Sequence, residues 1–253
     1  MISRRNFLLR GLGFMAGFFP NWIKQTAWAN FPQFFITQLR YRGGEWDPNP
    51  QFVEAIIEEL ELRTSIDGIK ERRVANLSDP GLFFSPCLYM AGKYSFDPFT
   101  QPERETLKRF LSFGGFLLAE DTLGARGQGF DQAFRREMRQ IFPGHELRRL
   151  PGDHSVYQSF YLITSVVGRQ TVNPYLEGII IDRWTPVLYS QNDLSGAWTR
   201  DRFGQWIHEC LPGGEIQRKA AFKLGINIIV YSLVSDYKKD VIHHPFIQKR
   251  QNL

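Results

Sequence analysis

The chain has two cysteines in 253 residues, Cys87 and Cys210, and no zinc-ligand spacing around either. It also lacks a dinucleotide-binding glycine fingerprint, a Walker lysine and a Gly-x-Ser-x-Gly nucleophile elbow. Arg126-Gly127-Gln128-Gly129 has the wrong spacing for a nucleotide motif and reads as a loop. Cys87 lies in the apolar run Leu82–Met90, which suits a buried structural thiol, and no Cys87–Cys210 disulfide is expected. His154 has no second histidine near it, so no metal site and no cofactor is expected. An excess of charge of one sign is missing too, once the first 29 residues are set apart. The full chain carries +5, but those residues hold Arg4, Arg5, Arg10 and Lys24 and no acidic group. The remainder has 27 basic against 26 acidic residues, which leaves no broad electrostatic footprint for nucleic acid.

What is present begins with an address. Ser3-Arg4-Arg5-Asn6-Phe7-Leu8 matches a twin-arginine export signal, and an apolar run from Leu8 to Phe19 follows it. That run is too short to span a bilayer comfortably. Ala27 and Ala29 supply the small side chains a signal peptidase accepts. Residues 1–29 are therefore expected to be a signal peptide recognised by the twin-arginine translocase, and the protein to be periplasmic. Residues 30–253 are expected to form one α/β domain with a C-terminal helix, a basic tail at Lys249-Arg250 and no transmembrane span. At 224 residues this part can bury a sizeable core without disulfide staples.

Strand-like and helix-like patterns alternate along it. Phe34–Leu39 reads as a first strand, Pro50–Arg63 as a helix with Phe52, Ile56, Ile57 and Leu60 on one side, and Val74–Leu77 as a second strand. Leu82–Met90 reads as a third strand, apolar on both faces, with Pro86 predicting a bulge or an interruption. Pro102–Phe113 forms a helix, Phe116–Ala119 a buried strand and Asp131–Phe142 a second amphipathic helix, with Arg135, Arg136 and Arg139 as a solvated face. Glu146–Leu150, Gly178–Ile181 and Val187–Tyr189 are further strands. Ile216–Ser235 is a long terminal helix whose Ile216, Ala220, Leu224, Ile228, Tyr231 and Val234 form a core stripe. Such alternation predicts a doubly wound α/β fold with a mostly parallel sheet.

Ligands of such folds bind beyond the carboxyl ends of the strands. The residues placed there are Arg40, Glu45 and Trp46 after the first strand, Lys93 after the third, and Glu120 and Asp121 after the fourth. Asp153 and His154, then Asn192, Asp193 and Trp198, complete a polar and aromatic set expected at one end of the sheet. Glu120, Asp121 and His154 are the candidates for acid–base chemistry, and the adjacent carboxylates are expected to raise each other's pKa. Each also has a structural reading as a cap or a turn.

Several ordered motifs carry a family resemblance. They are Leu39-Arg40-Tyr41 with Gly43-Gly44 and Trp46, Asp79-Pro80-Gly81-Leu82-Phe83, Leu88-Tyr89-Met90-Ala91-Gly92 and Gly114–Asp121. Leu176-Glu177-Gly178-Ile179, Tyr189–Leu194, Gly225–Tyr231 and His244-Pro245-Phe246 continue the series. Together they resemble the bacterial domain-of-unknown-function 4159 family, which implies a flavodoxin-like, class I glutamine-amidotransferase-like fold and no assigned activity. Amidotransferases of that fold group carry a cysteine nucleophile in the turn after a central strand. Here that turn holds Glu120-Asp121-Thr122, so the resemblance implies the fold without the catalytic cysteine. The expectation is a non-catalytic exported module that binds a polar ligand or an envelope protein. The alternatives are a carboxylate-dependent hydrolase acting on an envelope polymer and a structural subunit of an envelope complex.

Overall fold

A computed structural model describes residues 33–182 and 184–251, with side chains described through Val234. The expected signal peptide and the side chains of Lys249 and Arg250 lie outside the described residues. Among the described residues seven strands form one sheet: β1 Ile36–Leu39, β2 Arg73–Ala75, β3 Cys87–Gly92, β4 Leu117–Asp121, β5 Arg148–Arg149, β6 Glu177–Ile181 and β7 Trp184–Ser190. Their order is β2-β1-β3-β4-β7-β6-β5. The first five in that order are parallel, β6 runs antiparallel to β7, and β5 antiparallel to β6. The sheet is thus mostly parallel, and its direction of winding reverses between β1 and β3.

The helices are α1 Phe52–Arg63, α2 Gln101–Ser112, α3 Gly129–Ile141, α4 Leu194–Trp198 and α5 Gly214–Gln251. α1, α4 and α5 pack together on one face of the sheet, α2 and α3 on the other. Strand alternation divides the core accordingly. Tyr89, Ala91 and Leu118 join Phe52, Ile56 and Trp198, whereas Leu88, Met90, Leu117 and Ala119 join Phe110, Phe130 and Phe134. Local chemistry sets the element ends. The Thr100 amide donates to Glu103 Oε2 at 2.6 Å with Pro102 in the first turn, which starts α2 where its apolar stripe begins. Among the described residues no helix is long and apolar enough to cross a membrane.

Several expectations are corrected. The strand read as Leu82–Met90 begins only at Cys87. Asp79-Pro80 starts a 3-10 turn over Pro80–Phe84, and Pro86 has no N–H to give a ladder. The strand read as Glu146–Leu150 shrinks to two residues at the sheet edge. Of the expected stripe on α5, Ile216 is 84% exposed and Val234 46%, while Gln217, Arg218, Ala221, Phe222 and Ile229 are buried. The start of α5 packs against irregular loops, so the stripe is set by hydrogen bonds as well as by apolarity: Gln217 Nε2 donates to the carbonyls of Gly168, Arg169 and Leu211. The arginine face of α3 is not simply solvated. Arg135 bridges Asp131 and Glu177, Arg136 pairs with the buried Glu137, and Arg139 alone of the three remains exposed. Both cysteines are buried free thiols, and burial pushes Cys87 up to about 12.

Candidate functional site

β4 delivers two consecutive carboxylates to the carboxyl edge of the sheet, and strand geometry sends them to opposite faces. Glu120 follows Leu118 toward α4 and is fully buried. Tyr89 Oη donates to its Oε1 at 2.8 Å, Ser195 Oγ at 2.6 Å and Ser195 N at 3.2 Å, while Leu194 N donates to Oε2 at 2.6 Å. The opening amides of α4 thus close on the end of β4 through one side chain. Asp193 caps that helix from a left-handed conformation at φ 54°, its Oδ1 accepting from Gly196 N at 3.1 Å. Asn49, in the β1–α1 loop, donates to Asp193 Oδ1 at 2.9 Å and to Ser195 Oγ at 2.8 Å. Arg169 closes the network as the ion-pair partner of Asp193. Burial and, after it, the charge of Asp193 push Glu120 up to about 7 against the lowering effect of its donors.

Asp121 points to the other face and accepts from Leu123 N at 3.0 Å through Oδ1. Its Oδ2 and the buried Nε2 of neighbouring Gln191 make no close hydrogen bond, yet the Gln191 amide and the Gly124 N–H still act on the carboxylate as donors that lower its pKa. Burial raises its pKa, with the Asp131 carboxylate adding to the shift. Asp131 itself accepts from Tyr189 Oη at 2.8 Å and from Arg135. Both members of the Glu120–Asp121 pair are therefore raised, as the sequence led us to expect, but not by each other. Desolvation dominates, and each feels a different carboxylate on its own face.

Around the switch point, Lys93 after β3 pairs with Glu45 after β1 at 3.4 Å, and both stay about a third exposed. Tyr41 Oη donates to Ala91 O at 2.8 Å and to Glu45 O at 3.0 Å. A Cβ on Gly92 would stand 2.2 Å from that hydroxyl, so only glycine lets the loops meet here. Trp46 is half-buried beside Arg72, and exposed Arg40 donates to Asn76 Oδ1 at 3.0 Å. Half-buried His208 feels Asp193, Arg169, Lys93 and Arg218, and burial lowers its pKa. Arg169 and Asp193 thus lie together near Glu120, and His208 and Lys93 are within electrostatic reach of one another.

Four expected members of the set have other placements. Asn192 is fully buried, accepting from the amides of Val172 and Asn173 and donating to Val166 O and Asn173 O. Trp198 is 2% exposed and fills the core beside Phe52, Phe222 and Gly225. His154 is bound at the opposite end of the sheet, which corrects the expectation that it and Asp153 join Glu120. Its Nδ1 accepts from Val156 N, so Nε2 carries the proton and meets Thr185 Oγ1 at 3.0 Å. Thr185 sits near the start of β7, whereas Ser190 at its end is level with Glu120. Five residue steps separate them, on the order of 16 Å. The chain after the short β5 turns back over the sheet instead of continuing past its carboxyl edge.

Tyr89, Ser195, Asn49, Arg169 and His208 are not among the residues the sequence points to. Asp193-Leu194-Ser195-Gly196 is legible as a helix start with an aspartate cap. The others depend on register and loop paths that span up to 146 positions. Among the described residues no group of three histidine, cysteine, aspartate or glutamate side chains is arranged to hold a metal.

No curated protein matches this chain. A family model described as Domain of unknown function (DUF4159) matches residues 35–233, nearly the whole of the sheet and its helices, and the chain belongs to that family.

Proposed function

We propose that this protein is an exported, non-catalytic module that binds a polar ligand or an envelope protein partner at the carboxyl edge of its sheet. The architecture is read as flavodoxin-like and class I glutamine-amidotransferase-like, without the nucleophile. The observation that carries this reading is Glu120, at the strand end where the amidotransferases carry cysteine. It is buried, and four donors bind it to Tyr89, Leu194 and Ser195. A side chain so held ties α4 to β4 and offers no free base to a substrate. Ligand contact then falls to the groups that keep exposure: Arg40, Glu45, Trp46 and Lys93, with Arg169 and His208 beside them.

The test is a screen of envelope glycans and peptides with wild type, Lys93→Ala and Asp121→Asn. Binding without turnover is expected, with Lys93→Ala weakening it by about 1.5–3 kcal/mol, the worth of one charged hydrogen bond. The rival reading, a carboxylate hydrolase, is favoured by the raised pKa of Asp121 and by its Oδ2, which makes no close hydrogen bond. Cleavage by wild type that Asp121→Asn abolishes while ligand binding survives would establish that rival. Paired-carboxylate glycoside cleavage receives no support from Glu120 and Asp121, which point to opposite faces.

Export by the twin-arginine route places the module in the periplasm, residues 1–29 serving as signal and residues 30–253 as the domain. Changing Arg4 and Arg5 together to Lys is expected to leave uncleaved protein in the cytoplasm, as read by fractionation. Normal periplasmic protein from that variant would refute the assignment.

A further inference from the structure

The lateral edge of the sheet, away from the carboxyl-edge site, carries an unusual set of charges. β5 is the last strand in the order, so its outer backbone edge has no strand partner among the described residues. A cavity of about 520 Å³ lies on one side of it, lined by Arg139, Phe142, His145 and Arg148. A second, of about 460 Å³, is lined by Arg148, Arg149, Leu150 and Pro151. The two cavities adjoin at Arg148, the first reaching toward Phe142 of the core under α3 and the second toward Leu150 of the core under α5. Ile180 contributes to the walls of both.

Three arginines and a histidine face a single carboxylate, Glu146, in these two linings. Among the described residues no carboxylate lies within ion-pair distance of Arg139, Arg148 or Arg149. The neighbouring Arg104, Arg135 and Arg136 are all paired. Arg149 is instead laid over the Tyr175 ring at 4.7 Å, which holds its guanidinium by the edge. Edge arginines repel a second copy of the same strand, and so protect against self-pairing. The same charges attract an extended segment of opposite sign.

We propose that the β5 edge is a docking site for an extended acidic peptide segment of a partner protein, which adds as a further strand. The outer backbone groups of this short strand begin the pairing, and the two adjoining cavities receive side chains of the added segment, as in strand addition. The unpaired guanidiniums select carboxylates on that segment. This surface is independent of the proposed carboxyl-edge site: loss of acidic-peptide binding would leave the ligand-binding reading intact, and turnover by wild type would leave this one intact.

The experiment is fluorescence anisotropy on the full chain with a labelled peptide alternating glutamate and valine. Controls are the same peptide with lysine for glutamate, a version N-methylated at alternate amides, and anionic phospholipid vesicles. The acidic peptide is expected to bind, the lysine and N-methylated versions not, and Arg148→Glu/Arg149→Glu to weaken binding about tenfold or more. Arg139→Ala lies on α3, outside the strand, and is expected to weaken binding as well, so the test survives if charge reversal disturbs β5. Equal binding of the N-methylated peptide would overturn strand addition. Binding of vesicles without binding of the acidic peptide would overturn the choice of partner.

Discussion

Stability is expected to fall as pH rises from about 4.5 to 7, the reverse of the usual behaviour of a carboxylate held in an ion pair. Glu120 has a folded-state pKa of about 7 against 4.5 for an ordinary glutamate, so between these values the folded chain holds a proton that the unfolded chain has released. The contribution of that proton is complete below the unfolded value and is lost as pH passes through the folded one. The gap corresponds to something on the order of 3 kcal/mol. Denaturant titrations at pH 4.5, 6 and 8 would read it as a declining midpoint with constant slope in denaturant. Glu120→Gln cannot ionise and should lose this component of the pH dependence. It should also be less stable at every pH, because its amide NH2 confronts the Leu194 amide if placed at Oε2, or the Tyr89 and Ser195 donors if placed at Oε1, a cost of about 1–3 kcal/mol. A Glu120→Gln profile that keeps the full wild-type decline would refute the assignment of the titration to Glu120.

The second large effect is expected at Asp193. Truncation to Ala removes the cap of α4, forces an alanine into a left-handed conformation, and strips Arg169 and Asn49 of their acceptor. The cap is worth about 1 kcal/mol and the left-handed backbone about 1–2 kcal/mol, before the lost ion pair is counted, so a total near 3–4 kcal/mol is expected. Asp193→Asn keeps the backbone preference and an oxygen for the cap, and should recover most of the loss. It also removes the charge that adds to the shift of Glu120, so the pH decline of this variant should move to lower pH. Thermal melts of both variants across pH 5–8 check this. Equal destabilisation by Ala and Asn, with an unmoved pH profile, would mean that the network does not couple these residues.

Much of the architecture was legible because it rests on local periodicity. The apolar stretches at Cys87–Ala91 and Leu117–Ala119, and the helical spacing of Leu107, Phe110 and Leu111, are patterns of a strand buried on both faces and a helix buried on one. The reading failed where local pattern and long-range pairing diverged. Leu82, Phe83 and Phe84 are as apolar as a strand, yet the proline at position 80 turns them into a 3-10 segment. Ile216 has the spacing of a core residue but lies at a helix start with no sheet beneath it, while the polar Gln217 is buried because three loop carbonyls require its amide.

The sequence by itself determined the alternation of strands and helices, the absence of a cysteine after the fourth strand, and the arrival of Glu120 and Asp121 at its end. Those are properties of neighbouring residues. Only the tertiary structure decided what the carboxylates do. It separated Glu120 from Asp121 across the sheet, paired the first with Tyr89 and Ser195, and carried His154 to the far end of β7. The physical reason is that a buried charge takes its state from the donors and charges that surround it in space. For Glu120 these come from β3, from α4 and from an aspartate 73 positions later in the chain, in places that only register and loop paths fix.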